Sequence, residues 1–464
     1  FRSNMTFAKI KYSGILLLLV IWYSLDTNIQ YSISLIPDTR SFVVIIAIIR
    51  SLAPYLIFCF FLFFSRQISF KTKNKNLNIV IIALILNFLI QAVCLFIYQE
   101  EQNLNNLNLI ILTFISLTLF SIQYNLNYTR EIFIISILIL SSVVLWFGSV
   151  MIIWYFSDGN LTANLYGGWP HSFITNWRAS ENIPRSSGIA RSSLVIMIPI
   201  LLRIASSNFI YKKNDFYFYI VYLFMFFLVY MTQSRITLFA ALLITLMSII
   251  YIFSSNIKKI KKLIFIIIIP SLLILLIINI KLHTISKNQN VLDEIKKITI
   301  EKSISEDQAK TILGTQKKYG SVLRSVNKKS FTSNRFSDWK NIIKKNDSTL
   351  FGVGVMGDRF LINQSASNLL LYTYSSSGII GSILIGLLLL RSFFVCSKIL
   401  LFNEKKLNIE NSLLLSACYI QYFLLGRSLI ESSFAVFGID FLIFFSAYFY
   451  TEQYNDKQKT NEKV

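Results

Sequence analysis

The sequence predicts an all-α, polytopic membrane protein of about twelve transmembrane helices. Its composition supports that class, because 54% of the 464 residues are hydrophobic and only 15% are charged. Soluble domains typically contain a larger fraction of charged residues. The apolar residues also fall into runs of about 20, the length of a helix that crosses a bilayer. The formal net charge of +22 is carried by short basic clusters between these runs. Such clusters indicate membrane topology and not a nucleic-acid partner.

The charge of the loops alternates along the chain. Basic clusters follow the second, sixth, eighth and tenth spans, so the positive-inside rule places those loops and both termini in the cytoplasm. We predict spans at residues 10–25, 41–64, 77–98, 107–124, 131–156, 189–207, 216–232, 236–254, 263–282, 366–390, 409–426 and 433–450. The predicted organisation is nine spans within 1–282 with an outer loop at 157–188, a large periplasmic loop domain at 283–365, three spans within 366–450 and a cytoplasmic tail at 451–464.

The large outer loop is basic and carries amphipathic segments. Residues 281–359 hold 16 Lys and Arg against 8 Asp and Glu. Phe336, Trp339 and Ile343 recur at helical spacing among charged residues. This pattern predicts a helix over Arg335–Lys345, lying on or near the outer membrane surface.

The chain is organised around the stretch from Asn334 to Gly381, which joins that helix to a glycine-rich turn and then to an apolar segment that enters the membrane. Gly352 and Gly354 permit sharp backbone turns close to a substrate, and an ordinary loop is the alternative interpretation. Arg335 and Trp339 are four residues apart and share a helix face. The guanidinium can therefore pack on the indole or turn toward a ligand.

Six arginines are predicted at the outer face of the membrane: Arg185, Arg191, Arg235, Arg335, Arg359 and Arg427. A guanidinium binds phosphate through two hydrogen bonds and stays charged, which suits a pyrophosphate at headgroup level. The alternative is that these arginines anchor the protein to lipid phosphates. Arg185 and Arg191 favour the functional interpretation, because the proline, glycine and serines around them open a helix whose free amides also attract an anion.

Other residue types argue against a metal or a cofactor. The four cysteines lie in apolar segments or on a cytoplasmic loop, and neither histidine, His171 or His283, belongs to a metal-binding motif. We therefore predict no metal and no cofactor. Arg50 and Asp440 are predicted near mid-membrane, where a charge is costly, and we expect each to have a buried partner.

In their order along the chain, these features resemble the O-antigen polymerase and O-antigen ligase superfamily, whose members have about a dozen helices and a large outward loop near the C-terminal third. The resemblance covers roughly residues 130–450 and rests on Arg185 with Gly188 at a helix start, Ser234-Arg235 in a short hairpin, Arg335 followed by Trp339 and Gly352-x-Gly354, and a final Gly378-x-x-Gly381.

Two positions depart from the ligase pattern. Ser367-Asn368 stands where ligases of this superfamily usually carry His-Asn, and Ser376 stands where a glutamate often precedes the final Gly-x-x-Gly. The departure removes the usual candidate base, which favours a polymerase over a ligase.

The resemblance implies a metal-independent, inverting glycosyl transfer at the outer, periplasmic face of the bacterial cytoplasmic membrane. The donor would be a glycan on undecaprenyl pyrophosphate, and the acceptor a sugar hydroxyl of a second lipid-linked repeat unit. A separate chain-length regulator is an implied protein partner, besides the membrane lipids. The expected catalytic residues are Arg185, Arg191, Arg235 and Arg335, which would stabilise the leaving pyrophosphate, and the expected substrate-binding residues are Arg359, Arg427, Trp339, Gly352, Gly354, Ser367 and Asn368.

The general base and the acceptor stay open at this point. Candidate bases, named for their expected exposure, are Asp338, Asp358, Glu431 and His171. An O-antigen ligase would use the same donor with a lipid A core acceptor. A lipid-linked oligosaccharide flippase also has about a dozen helices, but this sequence has no internal repeat of the kind that such transporters show.

Overall fold

The computed structural model describes the backbone of residues 75–99, most of 106–117 and 129–145, 187–206, 213–231, most of 237–246, 335–362, 366, 368–402, 409–430, 432, 434 and 438–461. Every regular element in these residues is a helix, which confirms the all-α class for the described part of the chain. Predictions that lie outside the described residues include those for Arg50, His171, Arg185, Arg235, Ser367 and Glu431.

The principal helices of the described residues are α1 (Lys75–Tyr98), α2 (Ser187–Ser206), α3 (Lys213–Met231), α4 (Arg335–Lys345), α5 (Gly357–Ile362), α6 (Leu369–Phe402), α7 (Ile409–Ser428) and α8 (Ile439–Asn461). The chain divides into two compact units, Phe1–Val143 with Ser330–Val464 and Val144–Lys329. The first unit contains α1 and α4 to α8, and the second contains α2 and α3. Helix α4 begins and ends at the predicted residues.

Two helices of the described part are long and apolar enough to cross a membrane. They are Ile79–Tyr98 in α1 and Leu369–Leu401 in α6, with mean hydropathies of 2.8 and 2.4. Both overlap predicted spans, and both expose large apolar side chains, such as Ile82 and Leu387, as a surface facing lipid does. The twelve-span topology itself stays a prediction.

Helix α6 is the centre of the first unit, because it packs against α1, α4, α5, α7 and α8. Aromatic rings fill the space between α1 and α8, where Phe88 meets Phe441 edge to face with ring centroids 6.4 Å apart. Phe434, just before α8, stacks on Phe444 at 4.3 Å. These rings bury a large apolar area at a small cost in rotamer freedom, so they fix the helices laterally.

Helix α8 differs from its predicted span. It begins at Ile439, about two turns after the predicted start at residue 433, and Phe434 and Gly438 before it lie in a turn and a bend. Asp440, which was predicted near mid-membrane, lies in the first turn of α8, and its depth in the membrane stays a prediction. A carboxylate there is favoured by the free amides of the helix start. As expected, Asp440 is buried and interacts within the protein.

The carboxyl-terminal half of α8 continues beyond residue 450, through a stretch that was predicted as a tail. Glu452 there is wholly buried and forms a two-bond ion pair with Arg391 of α6, from Nε to Oε1 at 2.6 Å and from Nη2 to Oε2 at 3.1 Å. The Tyr448 hydroxyl donates to the same Oε1 at 3.0 Å. These contacts stabilise the helix past the last apolar residue.

The second unit is built on the pair α2 and α3. Helix α2 buries residues 194–198 and 200–202, so nearly its whole circumference is covered, as is typical of an interior helix. Tyr222 of α3 is fully buried, and Phe226 lies against it with ring centroids 6.1 Å apart. Helices α2 and α3 confirm that the predicted segments 189–207 and 216–232 are helical.

Candidate functional site

A break in α6 organises the candidate site. Two residues leave helical geometry. Ser377 has a φ of −136° and a ψ of 17°, and Gly378 has a φ of 66° and a ψ of −162°. The backbone groups on either side therefore lose their helical partners. A positive φ combined with an extended ψ is a conformation that is essentially restricted to glycine. The final Gly-x-x-Gly motif of the sequence thus marks a conformational break inside an apolar helix.

The glycine-rich turn between α4 and α5 supplies the missing partners. Four backbone hydrogen bonds join it to the break: Val353 N to Ser375 O (2.8 Å), Gly354 N to Ser376 O (3.0 Å), Ile379 N to Thr349 O (2.9 Å) and Ile380 N to Leu350 O (3.5 Å). Buried backbone groups without partners cost on the order of several kcal/mol each in an apolar medium. By bonding to these backbone groups, the turn offsets the free-energy cost of breaking the helix.

The turn can approach so closely because it contains glycines. Gly352 has a φ of 72°, and a Cβ there would lie 2.6 Å from the carbonyl carbon of Ser376. Gly354 has a φ of 97°, and its Cβ would lie 2.6 Å from the amide nitrogen of Leu95 in α1. The close approach that we predicted for these glycines is thus made to the protein's own backbone, while contact with a substrate stays a prediction.

Helix α1 holds the other side of the turn. The Gln99 side chain donates from Nε2 to the carbonyls of Val353 and Val355, at 2.8 and 3.2 Å, and its Oε1 accepts from Asn106 Nδ2 at 3.2 Å. Val355 is buried against Leu95 of the same helix. The turn is therefore clamped between α1 and the break in α6.

Helix α4 is fastened to the start of α6 by side-chain donors. Trp339 donates from Nε1 to the Ala366 carbonyl at 2.9 Å, and Asn346 donates from Nδ2 to the Tyr374 carbonyl at 3.0 Å. The Trp339 indole also packs edge to face on Phe336, with ring centroids 5.0 Å apart. Arg335 begins the helix, and its side chain lies outside the described part. The described contacts of Trp339 are thus made within the protein.

The exposed side chains of residues 336–360, which run from α4 through the turn into α5, include apolar and basic ones. The exposed apolar residues are Phe336, Ile343, Leu350, Phe351 and Phe360. The exposed cations are Lys340, Lys344, Lys345 and Arg359. Both kinds lie beside the start of a helix that is apolar enough to cross a membrane. Aromatic and basic side chains together are typical of the interface between a membrane and water.

Asp358 closes the loop between α5 and α6, and the expectation that it is exposed is wrong. Its side chain is 1% exposed. Its Oδ1 accepts from the Arg359 amide at 2.9 Å, and its Oδ2 accepts from the Ala366 amide at 2.7 Å. Burial raises the pKa of Asp358, although these two amides and the Arg359 charge oppose the shift. The carboxylate is thus placed to hold the loop and has no access to a substrate from solvent.

We expect the free energy of unfolding to fall as the pH rises from about 4, the ordinary carboxyl pKa, through the raised folded-state pKa of Asp358. The sign follows because the unfolded chain ionises first, so the folded state is favoured while both states are protonated. Measuring Tm against pH for the wild type and Asp358→Asn tests this. The variant should be less stable at low pH, since its amide accepts only one of the two N–H groups, and its Tm should depend less on pH.

The predicted arginines divide between the two units. Arg335 and Arg359 belong to the first unit, and Arg359 is exposed at the surface beside Asp358. Arg427, at the end of α7 in the same unit, is 2% exposed and interacts within the protein. Arg191 belongs to the second unit, is half-buried in α2 and also interacts within the protein. Of the predicted site arginines whose side chains are described in the first unit, Arg359 is exposed and Arg427 is buried.

Asn368 lies where the sequence placed it, at the start of α6, but its contacts are internal. Its Oδ1 accepts from the Leu371 amide at 3.1 Å, which caps the helix. Its Nδ2 donates to the Leu429 carbonyl at 3.0 Å. Because Leu429 follows Arg427 by two residues, this bond brings the end of α7 to the start of α6. Asp338 is half-buried in the first turn of α4, a position that suits the helix dipole.

Sequence reasoning missed the polar residues of α1. Asn87 and Gln91 are four residues apart in α1, so they share one face of an otherwise apolar helix, and Gln99 directly follows the helix. All three are buried. A search for amides at helical spacing within the predicted third span would have found this face, and it is the face that meets the turn and the broken helix.

Comparisons of the chain with protein-family models, with curated proteins and with solved structures find no match.

Proposed function

We propose that this chain is a polytopic glycosyltransferase of the bacterial cytoplasmic membrane. It polymerises undecaprenyl-pyrophosphate-linked oligosaccharide repeat units into O-antigen or into capsular or exopolysaccharide at the periplasmic face. The sequence supports this proposal through the order of its arginine and glycine motifs, and the structure supports it through the segment that follows α4.

The observation that carries the proposal is the pairing of charge and apolar surface on that segment. Arg359 and Phe360 are adjacent in α5 and both are exposed. The other exposed residues of this segment include cations and aromatic rings and one acid, Asp347, and the segment precedes a candidate membrane-crossing helix. A lipid-linked pyrophosphate would bind to both kinds of side chain. Its phosphates attract cations, and its polyprenyl chain stays in the bilayer beside the apolar rings.

In the proposed reaction, the acceptor hydroxyl attacks the anomeric carbon of the donor glycan from the side opposite the pyrophosphate. A new carbon–oxygen bond forms, the bond to the pyrophosphate oxygen breaks and the configuration inverts. Arginines would stabilise the charge that develops on the pyrophosphate, which is the main contribution that a site without a metal can make. The hydroxyl proton goes to a base that is not assigned.

The alternatives are an O-antigen ligase, with a lipid A core acceptor, and a lipid-linked oligosaccharide flippase. A broken membrane helix is a feature that transporters use to bind their substrates. Here, however, the carbonyls of Ser375 and Ser376 and the amides of Ile379 and Ile380 already bond to the turn. These four backbone groups are therefore not free to bind a transported substrate.

Reconstitution of the purified protein in vesicles with a synthetic lipid-linked repeat unit tests these functions against each other. Longer lipid-linked glycans are the expected result. Transfer only when lipid A core is added would identify a ligase instead. Movement of the substrate across the vesicle membrane with no new glycosidic bond would overturn both enzymatic functions.

Arg335→Ala is expected to lower the rate of polymer formation about 100-fold or more, as the loss of one charged group that stabilises a transition state typically does. Lys457→Ala is the control, since Lys457 is an exposed cation of α8 and lies outside the segment that carries the proposal, and it should keep near wild-type activity. Both variants are compared at equal amounts of inserted protein. Polymer of normal length and rate from Arg335→Ala would remove Arg335 from the site.

A further inference from the structure

One face of α1 lies against both the broken helix and the glycine-rich turn. At one level, the Ser377 hydroxyl donates to Asn87 Oδ1 at 2.6 Å. Two turns further on, Cys94 Sγ donates to the Phe351 carbonyl at 3.3 Å. Gln91 lies between these two levels on the same face, because its position is four residues after Asn87 and three before Cys94. It therefore lies between the level at which α1 meets the break and the level at which α1 meets the turn.

The Gln91 side chain is 0% exposed, and neither its Nε2 nor its Oε1 has a hydrogen-bond partner among the described residues. Asn87 is 1% exposed, and its Nδ2 also has no partner there. Gln99, which directly follows the same helix, uses both polar atoms of its side-chain amide. Burying an amide that has no hydrogen-bond partner costs free energy of folding. Such amides are therefore normally hydrogen-bonded to a ligand or to ordered water.

The hydrogen-bonding chemistry of these amide atoms determines which ligand group can bind to them. Two amide nitrogens donate and one amide oxygen accepts, and neither side chain is charged. A carboxylate or phosphate oxygen could accept from the nitrogens but could not donate to Gln91 Oε1, and a metal cation would be repelled by the N–H groups. A hydroxyl group accepts from the nitrogens and donates to the oxygen.

We propose that Asn87 and Gln91 form a binding site for a neutral hydroxyl group, directly beneath the glycine-rich turn. Two sources share this chemistry, an internal water molecule and a sugar hydroxyl of the glycan. The second source rests on the proposed function, and the first does not.

The test uses full-length protein in lipid nanodiscs, labelled with ¹⁵N on the glutamine side chains. Gln91→Leu identifies the Gln91 amide signals by their loss. Without glycan, the Gln91 side-chain N–H groups should show a nuclear Overhauser cross-peak to water. After addition of a ¹³C-labelled lipid-linked repeat unit, a cross-peak to a sugar carbinol proton would identify the glycan as the source, and a persistent water peak would identify water. The Gln99 amide, bonded to two carbonyls, is the internal control and should show neither.

Absence of both cross-peaks at Gln91 would overturn the inference. So would a higher Tm for Gln91→Leu than for the wild type, because removing an amide that binds nothing relieves a buried penalty, whereas removing one that binds a hydroxyl leaves Tm unchanged or lowers it. Formation of polymer without either cross-peak contradicts this site alone. A water cross-peak in a protein that forms no polymer contradicts the proposed function alone.

Discussion

Gly378→Ala is expected to destabilise the first unit by about 3 kcal/mol or more, a large part of the stability of a typical domain. Gly378 has a φ of 66° and a ψ of −162°, a region that costs a residue with a Cβ about 1 to 3 kcal/mol. The added methyl group would also overlap the carbonyl oxygen of Leu350, whose partner is the Ile380 amide. Thermal unfolding in detergent micelles or nanodiscs measures the loss.

The matched control for that variant lies in the same helix. Among the described residues, a Cβ at Gly386 would meet only the Leu370 side chain, at 3.8 Å. This is an ordinary contact, so Gly386→Ala should be neutral or stabilising by up to about 1 kcal/mol. Equal Tm values for the two variants would show that the break at Gly378 is not held by the turn. Limited proteolysis in the turn should also become faster in Gly378→Ala and not in Gly386→Ala.

Arg391→Met is expected to cost about 3 to 5 kcal/mol, because it leaves a buried carboxylate without its cation. The two partners differ in exposure, since the Arg391 side chain is 31% exposed and the Glu452 side chain is 0% exposed. Glu452→Gln should therefore cost less, because the released guanidinium can reach water along its flexible stem. Chemical or thermal unfolding of the two variants at neutral pH, compared with the wild type, tests this asymmetry.

The double variant Arg391→Met with Glu452→Gln completes the test. It removes both charges and keeps an oxygen that accepts from the Tyr448 hydroxyl, which now donates to Glu452 Oε1 at 3.0 Å. It should be more stable than Arg391→Met alone, because no buried charge is left without a partner. Additive losses would contradict a coupled pair and would assign the cost to packing.

Helix positions were the part of the fold that the sequence could predict. Apolar runs and amphipathic spacing are local signals, and they located α4 to the residue and α1 to within about two residues at its start. The break in α6 was not predicted, since Ser377 and Gly378 are tolerated in apolar helices. What makes them leave helical geometry is a set of bonds to Thr349 and Leu350, and a local pattern does not contain such contacts.

The candidate site was predictable only as a region. Glycines, arginines and a tryptophan identified the stretch from Asn334 to Gly381, and the structure folds its described residues together. The environment of each side chain depends on contacts between distant segments. Asp358 is buried where it accepts from the Ala366 amide, and Gln91 is buried on the face of α1 that also meets the break and the turn. Neither fact could be obtained from spacing alone.

The bonds between the turn and the break also bear on how the chain is made. The ribosome completes residues 349–354 before it reaches Ser375, and α1 is made earlier still. In the predicted topology, the partners of the interrupted helix are therefore already present when that helix leaves the translocon, provided that the turn has crossed first. We expect α6 to insert as two segments that lock only once the turn has docked, so that translocation of the preceding loop sets the time at which this helix matures.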